Sequence, residues 1–243
     1  MDKTRKFETE REQRIKALGD SEEYARLGYD FVNKTARHKY SYNFSWLGRP
    51  IIQFPQDMVA MQEIIWDLRP DLVIETGIAH GGSLIFYASI LEMTGKGRVL
   101  GIDIDIRDHN RTAIEKHSMY SRITMIEGSS TSAEVLEQVE KEAAGCETVL
   151  VALDSNHTHD HVLEELNAYS KFVTPGSYLV VFDTVIEYMD EEYLKDRPWS
   201  KGNNPMTAVQ QFLESNSHFQ TAPSISDKLL ITVAPDGYLK RIS

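Results

Sequence analysis

Residues 73–83 constrain the fold more than any other part of the chain. They read VIETGIAHGGS, an apolar run that passes through an acidic residue into a glycine-rich turn, and the apolar stretch 84–91 follows them. This pattern predicts a buried strand, a tight turn and a helix. Because glycine has no Cβ and the first turn of a helix has unpaired N–H groups, a ligand can lie across such a turn.

The next predicted strand also carries an acidic residue near its end. The predicted strand 98–104 contains Asp103, an acid suited to binding the two hydroxyls of a ribose. The spacing Glu75-x-Gly77-x-x-x-Gly81 differs from the G-x-G-x-x-G of dinucleotide-binding folds, which place a pyrophosphate at a helix N-terminus. S-adenosylmethionine has no phosphate, and Glu75 can serve its amino-acid end directly or through water. We therefore favour S-adenosylmethionine over NAD, with a tight turn in some other α/β protein as the alternative.

Apolar strands and helical patterns alternate from residue 55 onwards. They predict a helix ending near Pro70, a strand at 72–76, helix 81–94, strand 98–104, helix 107–118, strand 122–126, helix 131–143, strand 147–153, helix 159–171, strand 177–183, helix 205–215 and strands at 219–222, 228–233 and 238–242. This alternation predicts an α/β, Rossmann-like domain over residues 56–243, with a mostly parallel sheet, helices on both faces and an antiparallel C-terminal strand. Residues 1–55 are predicted to form a helical and aromatic arm or cap.

Composition restricts the classes of partner and compartment. The formal charge is −11, from 26 basic and 37 acidic residues, which argues against a nucleic-acid partner. Cys146 is the only cysteine, the charged start is not followed by the apolar core of a signal peptide, and no apolar run approaches membrane-spanning length. We expect a cytoplasmic protein without membrane segments. The aromatic residues of the arm either pack it onto the domain, contact a substrate or support a homo-oligomer.

Two aspartates follow neighbouring predicted strands. Asp154 ends the fourth strand of the domain and Asp183 ends the fifth, so both should lie at the same sheet edge as the glycine turn. Paired carboxylates favour a hard divalent cation such as Mg²⁺ between them, although strand-end aspartates also cap helices. His157 is the predicted base. His159 and His161 are more typical of solvated or capping residues than of zinc ligands.

Several of these segments together carry a family resemblance. The chain resembles the family named after cephalosporin hydroxylase, the Rossmann-like proteins of the rhamnosyl O-methyltransferase type, over roughly residues 40 to 243. The resemblance is carried by the motifs WLGRPIIQ at 46–53, IETGIAHGGS at 74–83, GIDID at 101–105, LDS at 153–155 and GYLKR at 237–241. It implies the class I methyltransferase fold, S-adenosylmethionine as cofactor and a magnesium-type metal site.

The resemblance also implies which residues form each site. The cofactor residues would be Glu75, Gly77, His80, Gly81, Ser83, Asp103 and, beyond the following strand, Ser129. The metal residues would be Asp154 and Asp183. Where the family pattern leads us to expect an acid before the second strand-end aspartate, this chain has Phe182, so Thr184, Glu187 or water would complete the site. The layout is also similar to catechol O-methyltransferase, in which an aspartate and a basic residue three positions later share the metal and base roles, as Asp154 and His157 would here.

The favoured hypothesis is an S-adenosylmethionine-dependent, metal-assisted O-methyltransferase that acts on a small hydroxylated molecule, such as a sugar or a secondary metabolite. An oxidoreductase or hydroxylase is the first alternative, and it predicts consumption of NAD(P)H or oxygen. A non-catalytic module that binds the cofactor and supports a partner enzyme is the second, and Phe182 and the aromatic arm are consistent with it.

Overall fold

A computed structural model describes residues 3–243 and contains one seven-stranded sheet with a small hairpin beside it. The strands are β1 (Phe44–Trp46), β2 (Arg49–Ile51), β3 (Leu72–Thr76), β4 (Arg98–Asp103), β5 (Ile123–Glu127), β6 (Val149–Leu153), β7 (Tyr178–Val181), β8 (Phe219–Thr221) and β9 (Tyr238–Arg241). The α-helices are α1 (Lys3–Gly19), α2 (Glu22–Ala36), α3 (Pro55–Leu68), α4 (Gly82–Thr94), α5 (Asp108–Glu115), α6 (Ala133–Ala143), α7 (His159–Tyr169), α8 (Pro205–Ser215) and α9 (Pro223–Leu229). Short 3₁₀ helices lie at Tyr40–Asn43, Tyr120–Arg122, Ser170–Phe172, Thr184–Tyr188 and Glu191–Tyr193.

The large sheet has the strand order β5-β4-β3-β6-β7-β9-β8. The first five strands in that order are parallel, and β9 runs antiparallel between β7 and β8. The order reverses at β3, which has β4 on one side and β6 on the other. A ligand-binding crevice is expected at the carboxyl ends of the strands at such a switch point. The predicted Rossmann-like architecture with an antiparallel C-terminal strand is therefore confirmed.

The central strands are buried on both faces, which explains their continuous apolar sequences. Every residue of β3 and of β6 is buried. Successive side chains alternate between two cores, so that Val73 packs on the side of α3 and α4 whereas Leu72 and Ile74 pack on the side of α6, α7 and α8. This two-sided burial is what a parallel sheet requires.

The N-terminal arm is helical and lies against the sheet domain. Helix α1 packs on α9. The amide of Asn33 in α2 donates to the carbonyl of Tyr188 (3.0 Å) and its oxygen accepts from the N–H of Asp190 (2.7 Å). The division of the chain at residue 55 stays a prediction. No helix in the described range 3–243 combines the length and apolar character needed to cross a membrane.

The predicted strand at 228–233 is wrong. Pro223 begins a helix instead, and α9 extends to Leu229, which occupies the first part of that segment. The second part of the segment, residues 230–233, is irregular. Its polar groups form hydrogen bonds with the carboxylate of Asp57 rather than with a neighbouring strand. Val233 donates its N–H to Asp57 (2.9 Å), and the hydroxyl of Thr232 donates to the same carboxylate. Local apolar patterning could not reveal this competing partner.

Asp57 joins three parts of the fold. It is completely buried in α3 and accepts hydrogen bonds from Thr232, from Val233 and from the hydroxyl of Tyr238 in β9 (2.8 Å). Burial raises the pKa of Asp57 to about 6, and the three donors oppose that rise. The carboxylate therefore ties α3 and β9 to the segment that follows α9.

Replacing Asp57 with Ala should strongly destabilise the protein, because three buried donors lose their partner and each unsatisfied donor costs about 1–3 kcal/mol. We expect urea denaturation to show a loss of at least about 3 kcal/mol in the free energy of unfolding. Asp67→Ala removes an exposed carboxylate from the same helix and should change stability by less than about 0.5 kcal/mol. Equal effects of the two substitutions would contradict the role of Asp57.

Candidate functional site

The glycine turn after β3 brings the ends of two neighbouring strands together. Gly77 has φ = 91°, and a Cβ there would lie 2.0 Å from the carbonyl oxygen of Asp154. A Cβ at Gly82 would lie 2.1 Å from the carbonyl oxygen of Pro50, so this glycine lets β2 approach the first turn of α4. A larger residue at Gly77 would push the ends of β3 and β6 apart, and one at Gly82 would push β2 away from α4.

Glu75 lies buried beneath the turn. Its Oε2 accepts a hydrogen bond from the Ser83 hydroxyl (2.5 Å), whereas its Oε1 has no hydrogen-bond partner within residues 3–243. Burial raises the pKa of Glu75 to about 8, and the hydroxyl groups of Ser83 and Tyr87 work against this rise. Glu75 lines neither of the two cavities near the turn, but its hydrogen-bond partner Ser83 lines the larger one, so its carboxyl group can act on a cationic or hydrogen-bonding ligand there through Ser83 or a bridging water.

Asp103, at the end of β4, forms hydrogen bonds with the backbone of the same turn. Its carboxylate accepts from the backbone N–H groups of Ile78 (2.7 Å), Ala79 (3.1 Å) and Asp105 (3.1 Å). The acid predicted to hold a ribose therefore also fixes the backbone of the turn. Asp103 and Ser129 both line a cavity of about 250 Å³ at the ends of β4 and β5.

A larger cavity of about 520 Å³ lies on the other side of β3. The two cavities share Gly77, Ala79, Asp154 and Ser155 as lining residues, so they meet above the ends of β3 and β6. Among the predicted cofactor residues, Gly77, Ser83, Asp103 and Ser129 line these cavities.

The structure places two further predicted cofactor residues elsewhere. The carbonyl oxygen of His80 accepts hydrogen bonds from Arg49 (3.0 and 2.5 Å), and its side chain lines neither cavity. Gly81 faces Ile114, with which a Cβ would collide at 2.3 Å. Both residues therefore shape the turn from its outer side.

Asp154, His157 and Asp183 converge at the floor of the larger cavity. Each offers one potential ligand atom, and these three atoms lie within 4.8 Å of one another. The Nε2 of His157 lies 3.3 Å from Oδ2 of Asp183, whose backbone adopts a left-handed conformation (φ = 59°) at the end of β7. Burial, the charge of Asp183 and the charge of Glu75 hold the pKa of Asp154 well above its usual range.

Two residues proposed to complete a metal site are bound elsewhere. The Thr184 hydroxyl is buried and donates to the carbonyl of Pro235 (2.6 Å). Oε2 of Glu187 accepts from the Gly202 N–H (2.9 Å) and from the Asn204 side-chain amide (2.5 Å). The structure therefore brings neither residue into the cluster. Phe182 is buried in the core, so its position provides no ligand either.

Sequence reasoning missed two residues beside the cluster. Gln53 is buried and donates from Nε2 to Asp154 (3.2 Å), while its Oε1 has no partner in the described part of the chain. Trp199 packs edge-on against the ring of His157, with 4.7 Å between the ring centroids. Gln53 lies in one of the motifs that carry the family resemblance, but nothing in its spacing indicated contact with Asp154, 101 positions later.

The remaining histidines of this region have structural partners. His159 contacts Thr207 (2.8 Å) and Gln211 (3.0 Å) on α8. His161 contacts Ser155 (3.1 Å) and Glu165 (3.4 Å), and the hydrogen bond with Glu165 raises the pKa of His161. Neither histidine belongs to the cluster, and both are hydrogen-bonded rather than simply solvated.

The strand order and the position of these cavities define a Rossmann-like α/β architecture with a candidate ligand site at the carboxyl ends of the strands. The structure is similar to CmcI with Mg and SAM (TM-score 0.59, 18% identity), over 83% of this chain and 78% of that one. It is also similar to a putative O-methyltransferase from Klebsiella pneumoniae (TM-score 0.55, 16% identity), over 94% of each chain. At these identities, the similarities establish the fold.

The family itself follows from sequence. The family model described as Rhamnosyl O-methyltransferase/CmcI matches residues 38–242. A rhamnosyl O-methyltransferase of Mycobacterium tuberculosis is 32% identical over 216 residues, which cover 84% of this chain and 83% of that protein. Another, from Mycobacterium leprae, is 34% identical over 157 residues, which cover 60% of this chain and 66% of that protein. The chain belongs to the Rhamnosyl O-methyltransferase/CmcI family, which confirms the predicted resemblance and the methyltransferase class.

The pKa of Glu75 predicts a pH-dependent stability for the ligand-free protein. Between about pH 4.5 and 8 the folded protein retains a proton that the unfolded chain loses, so stability falls as the pH rises. Glu75→Gln removes this titration. The stability of the variant relative to the wild type should therefore increase by about 1.4 kcal/mol per pH unit in this interval, measured by urea denaturation. A difference that is constant with pH would contradict the assignment.

Proposed function

We propose that this protein transfers the methyl group of S-adenosylmethionine to a hydroxyl oxygen of a small, sugar-like molecule, assisted by a divalent cation such as Mg²⁺. The observation that carries the proposal is the convergence of Asp154, His157 and Asp183 beside the glycine turn. The glycine turn and this set of oxygen and nitrogen donors thus lie at the same edge of the sheet and face adjoining cavities. The names of the mycobacterial relatives and of the Mg and SAM structure of CmcI support the same chemistry.

The chain offers features that suit the cofactor. The free oxygen of Glu75 and the hydroxyl of Ser83 are suited to the amino-acid end, through water where Glu75 is too deeply buried for direct contact. Asp103 and Ser129 line the smaller cavity, which would take the nucleoside. Gly77 leaves room between the two cavities. The bound cofactor would supply an electrophilic methyl group on a positively charged sulfur.

The cluster also suits a hard divalent cation. Asp154 and Asp183 provide carboxylate oxygens, and two carboxylates this close repel each other unless a proton or cation lies between them. Gln53, which lines the same cavity, provides an amide oxygen that has no partner within residues 3–243. The cation would lower the pKa of an acceptor hydroxyl bound beside it.

We assign to His157 the role of accepting the proton from that hydroxyl. Its ring is oriented by Asp183 on one side and by Trp199 on the other. When Nε2 donates to Asp183, the other ring nitrogen of the neutral imidazole is free to accept a proton. A base whose ring orientation is fixed by two contacts would lose little freedom when the acceptor binds, and this would favour proton transfer.

Calorimetric titration with S-adenosylhomocysteine and with NADH, each with and without Mg²⁺, tests the cofactor class. Binding of S-adenosylhomocysteine alone is expected, because the turn lacks the glycine spacing of a dinucleotide site. Binding of NADH alone would overturn the proposal and favour the oxidoreductase. Binding of S-adenosylhomocysteine without methyl transfer to any hydroxylated sugar, combined with activation of a partner enzyme, would favour the non-catalytic module.

Two substitutions distinguish a metal ligand from a base. Asp154→Asn should weaken Mg²⁺ binding and reduce methyl transfer at least about a hundredfold, because a charged ligand is lost. His157→Gln should reduce turnover by about a hundredfold or more while the Mg²⁺ dissociation constant changes little. Radiolabelled methyl transfer to a panel of hydroxylated sugars measures turnover, and calorimetry measures Mg²⁺ binding.

Asp160→Asn provides the matched control, because Asp160 is an exposed carboxylate of α7 outside the cluster. It should change neither quantity. Full turnover in Asp154→Asn would contradict the metal role. Parallel losses of Mg²⁺ affinity and turnover in His157→Gln would make His157 a ligand rather than the base.

A further inference from the structure

The rim of the larger cavity is cationic although the protein as a whole is acidic. Arg37, Lys39 and Arg197 line this cavity, and among residues 3–243 its only acidic lining residues are Asp154 and Asp183. The whole chain has 26 basic and 37 acidic residues, so a basic majority around one cavity is opposite to the general composition. The lining of this cavity therefore differs in charge balance from the chain as a whole.

Aromatic rings and a histidine, rather than carboxylates, contact these three cations. The Lys39 ammonium lies 5.7 Å from the ring centroid of Tyr42, and the Arg197 guanidinium lies 5.4 Å from that of Trp199. Nε of Arg37 donates to His38 (3.1 Å). Within residues 3–243 none of the three forms an ion pair with a carboxylate. Their charge is therefore available to a molecule that enters the cavity.

The two sides of the rim are held together. Arg37 and Lys39 follow α2, whereas Arg197 belongs to the segment after β7. Tyr29 of α2 stacks on Tyr188 with 4.2 Å between ring centroids, and the two hydrogen bonds of Asn33 to residues 188 and 190 join the same elements. The arm and the loop thus form one wall, with cations on both parts.

The charge of the cavity changes when a divalent cation is bound at its floor. The cation would balance the two carboxylates of Asp154 and Asp183. The floor would then be nearly neutral, and the three cations of the rim would dominate the field in the cavity. An acceptor with a negative group would be attracted to the rim while its hydroxyl reached the floor.

We propose that the acceptor carries an anionic group, a carboxylate or a phosphate, at a distance from the hydroxyl that is methylated, and that Arg37, Lys39 and Arg197 bind this group. The inference rests on the proposed function and specifies the substrate class of the same site. The aromatic rings that contact Lys39 and Arg197 keep these two cations at the rim and provide flat surfaces for the body of a sugar.

The test compares three sugars that differ mainly in charge. Methyl glucoside is the neutral probe, glucuronate carries a carboxylate and glucose 1-phosphate carries a phosphate. Each is titrated into the protein loaded with S-adenosylhomocysteine and Mg²⁺. At least one anionic probe should bind about tenfold more tightly than the neutral probe, because a charge-assisted contact is stronger than a neutral one. The stronger of the two anionic probes identifies the group, and added salt should reduce the preference.

Arg37→Gln, Lys39→Gln and Arg197→Gln should each reduce this preference several-fold, and the triple variant should abolish it. Lys195→Gln is the matched control, because Lys195 is an exposed cation of the same loop that does not line the cavity. Binding of S-adenosylhomocysteine should be unchanged in all four single variants. This second readout separates the anionic-acceptor proposal from the proposed function. If the wild type does not bind S-adenosylhomocysteine, the proposed function itself is contradicted.

Equal binding of neutral and anionic probes by the wild type would overturn the inference. A preference that persists in the triple variant would also overturn it, because the anion would then be bound by the metal rather than by the rim. Failure of both anionic probes to bind at millimolar concentration would count equally against it.

Discussion

The close approach of β3 and β6 is the contact on which the site depends. The N–H of Asp154 donates to the carbonyl of Thr76 (2.9 Å), and the absence of a side chain at Gly77 lets the carbonyl of Asp154 lie against the turn. This contact places the glycine turn and the cluster of Asp154, His157 and Asp183 beside the same cavity. If the strand ends were further apart, the two cavities would not share a wall, and a donor and an acceptor could not be held together.

The site concentrates carboxyl groups whose ionised forms the folded protein alone stabilises poorly. Glu75 and Asp154 both have raised pKa values, for which burial is the largest cause, and Asp183 adds repulsion to Asp154. Buried acids of this kind cost stability when ionised and are typical of functional sites. A cationic cofactor and a divalent cation would relieve that cost, so the carboxyl groups whose ionisation is opposed by burial would bind these ligands in their ionised form.

Much of the sheet was predictable from sequence, whereas the walls of the site were not. Strands such as β3 and β6 have continuous apolar sequences because both faces are buried, and their local pattern therefore reveals them. The segment 228–233 has similar apolar character, but Asp57, far away in the chain, binds its polar groups and prevents strand pairing.

The site residues show the same division between local and distant signals. Asp154 and Asp183 were predicted as neighbours because each follows a parallel strand, and the structure brings them together with His157. Thr184 and Glu187 are close in sequence to Asp183, but Pro235 and Asn204 bind their polar atoms. Gln53 and the cationic rim come from segments whose positions depend on tertiary packing, so no local pattern could place them at the cavity.

The most direct test of the account is a crystal structure with Mn²⁺ and S-adenosylhomocysteine, in which anomalous scattering locates the metal. The account predicts one strong anomalous peak at the cluster, within about 2 Å of a carboxylate oxygen of both Asp154 and Asp183. S-adenosylhomocysteine bound at the turn with no anomalous peak at the cluster would contradict the proposed metal site. An ordered Mn²⁺ bound only elsewhere on the protein would contradict it equally.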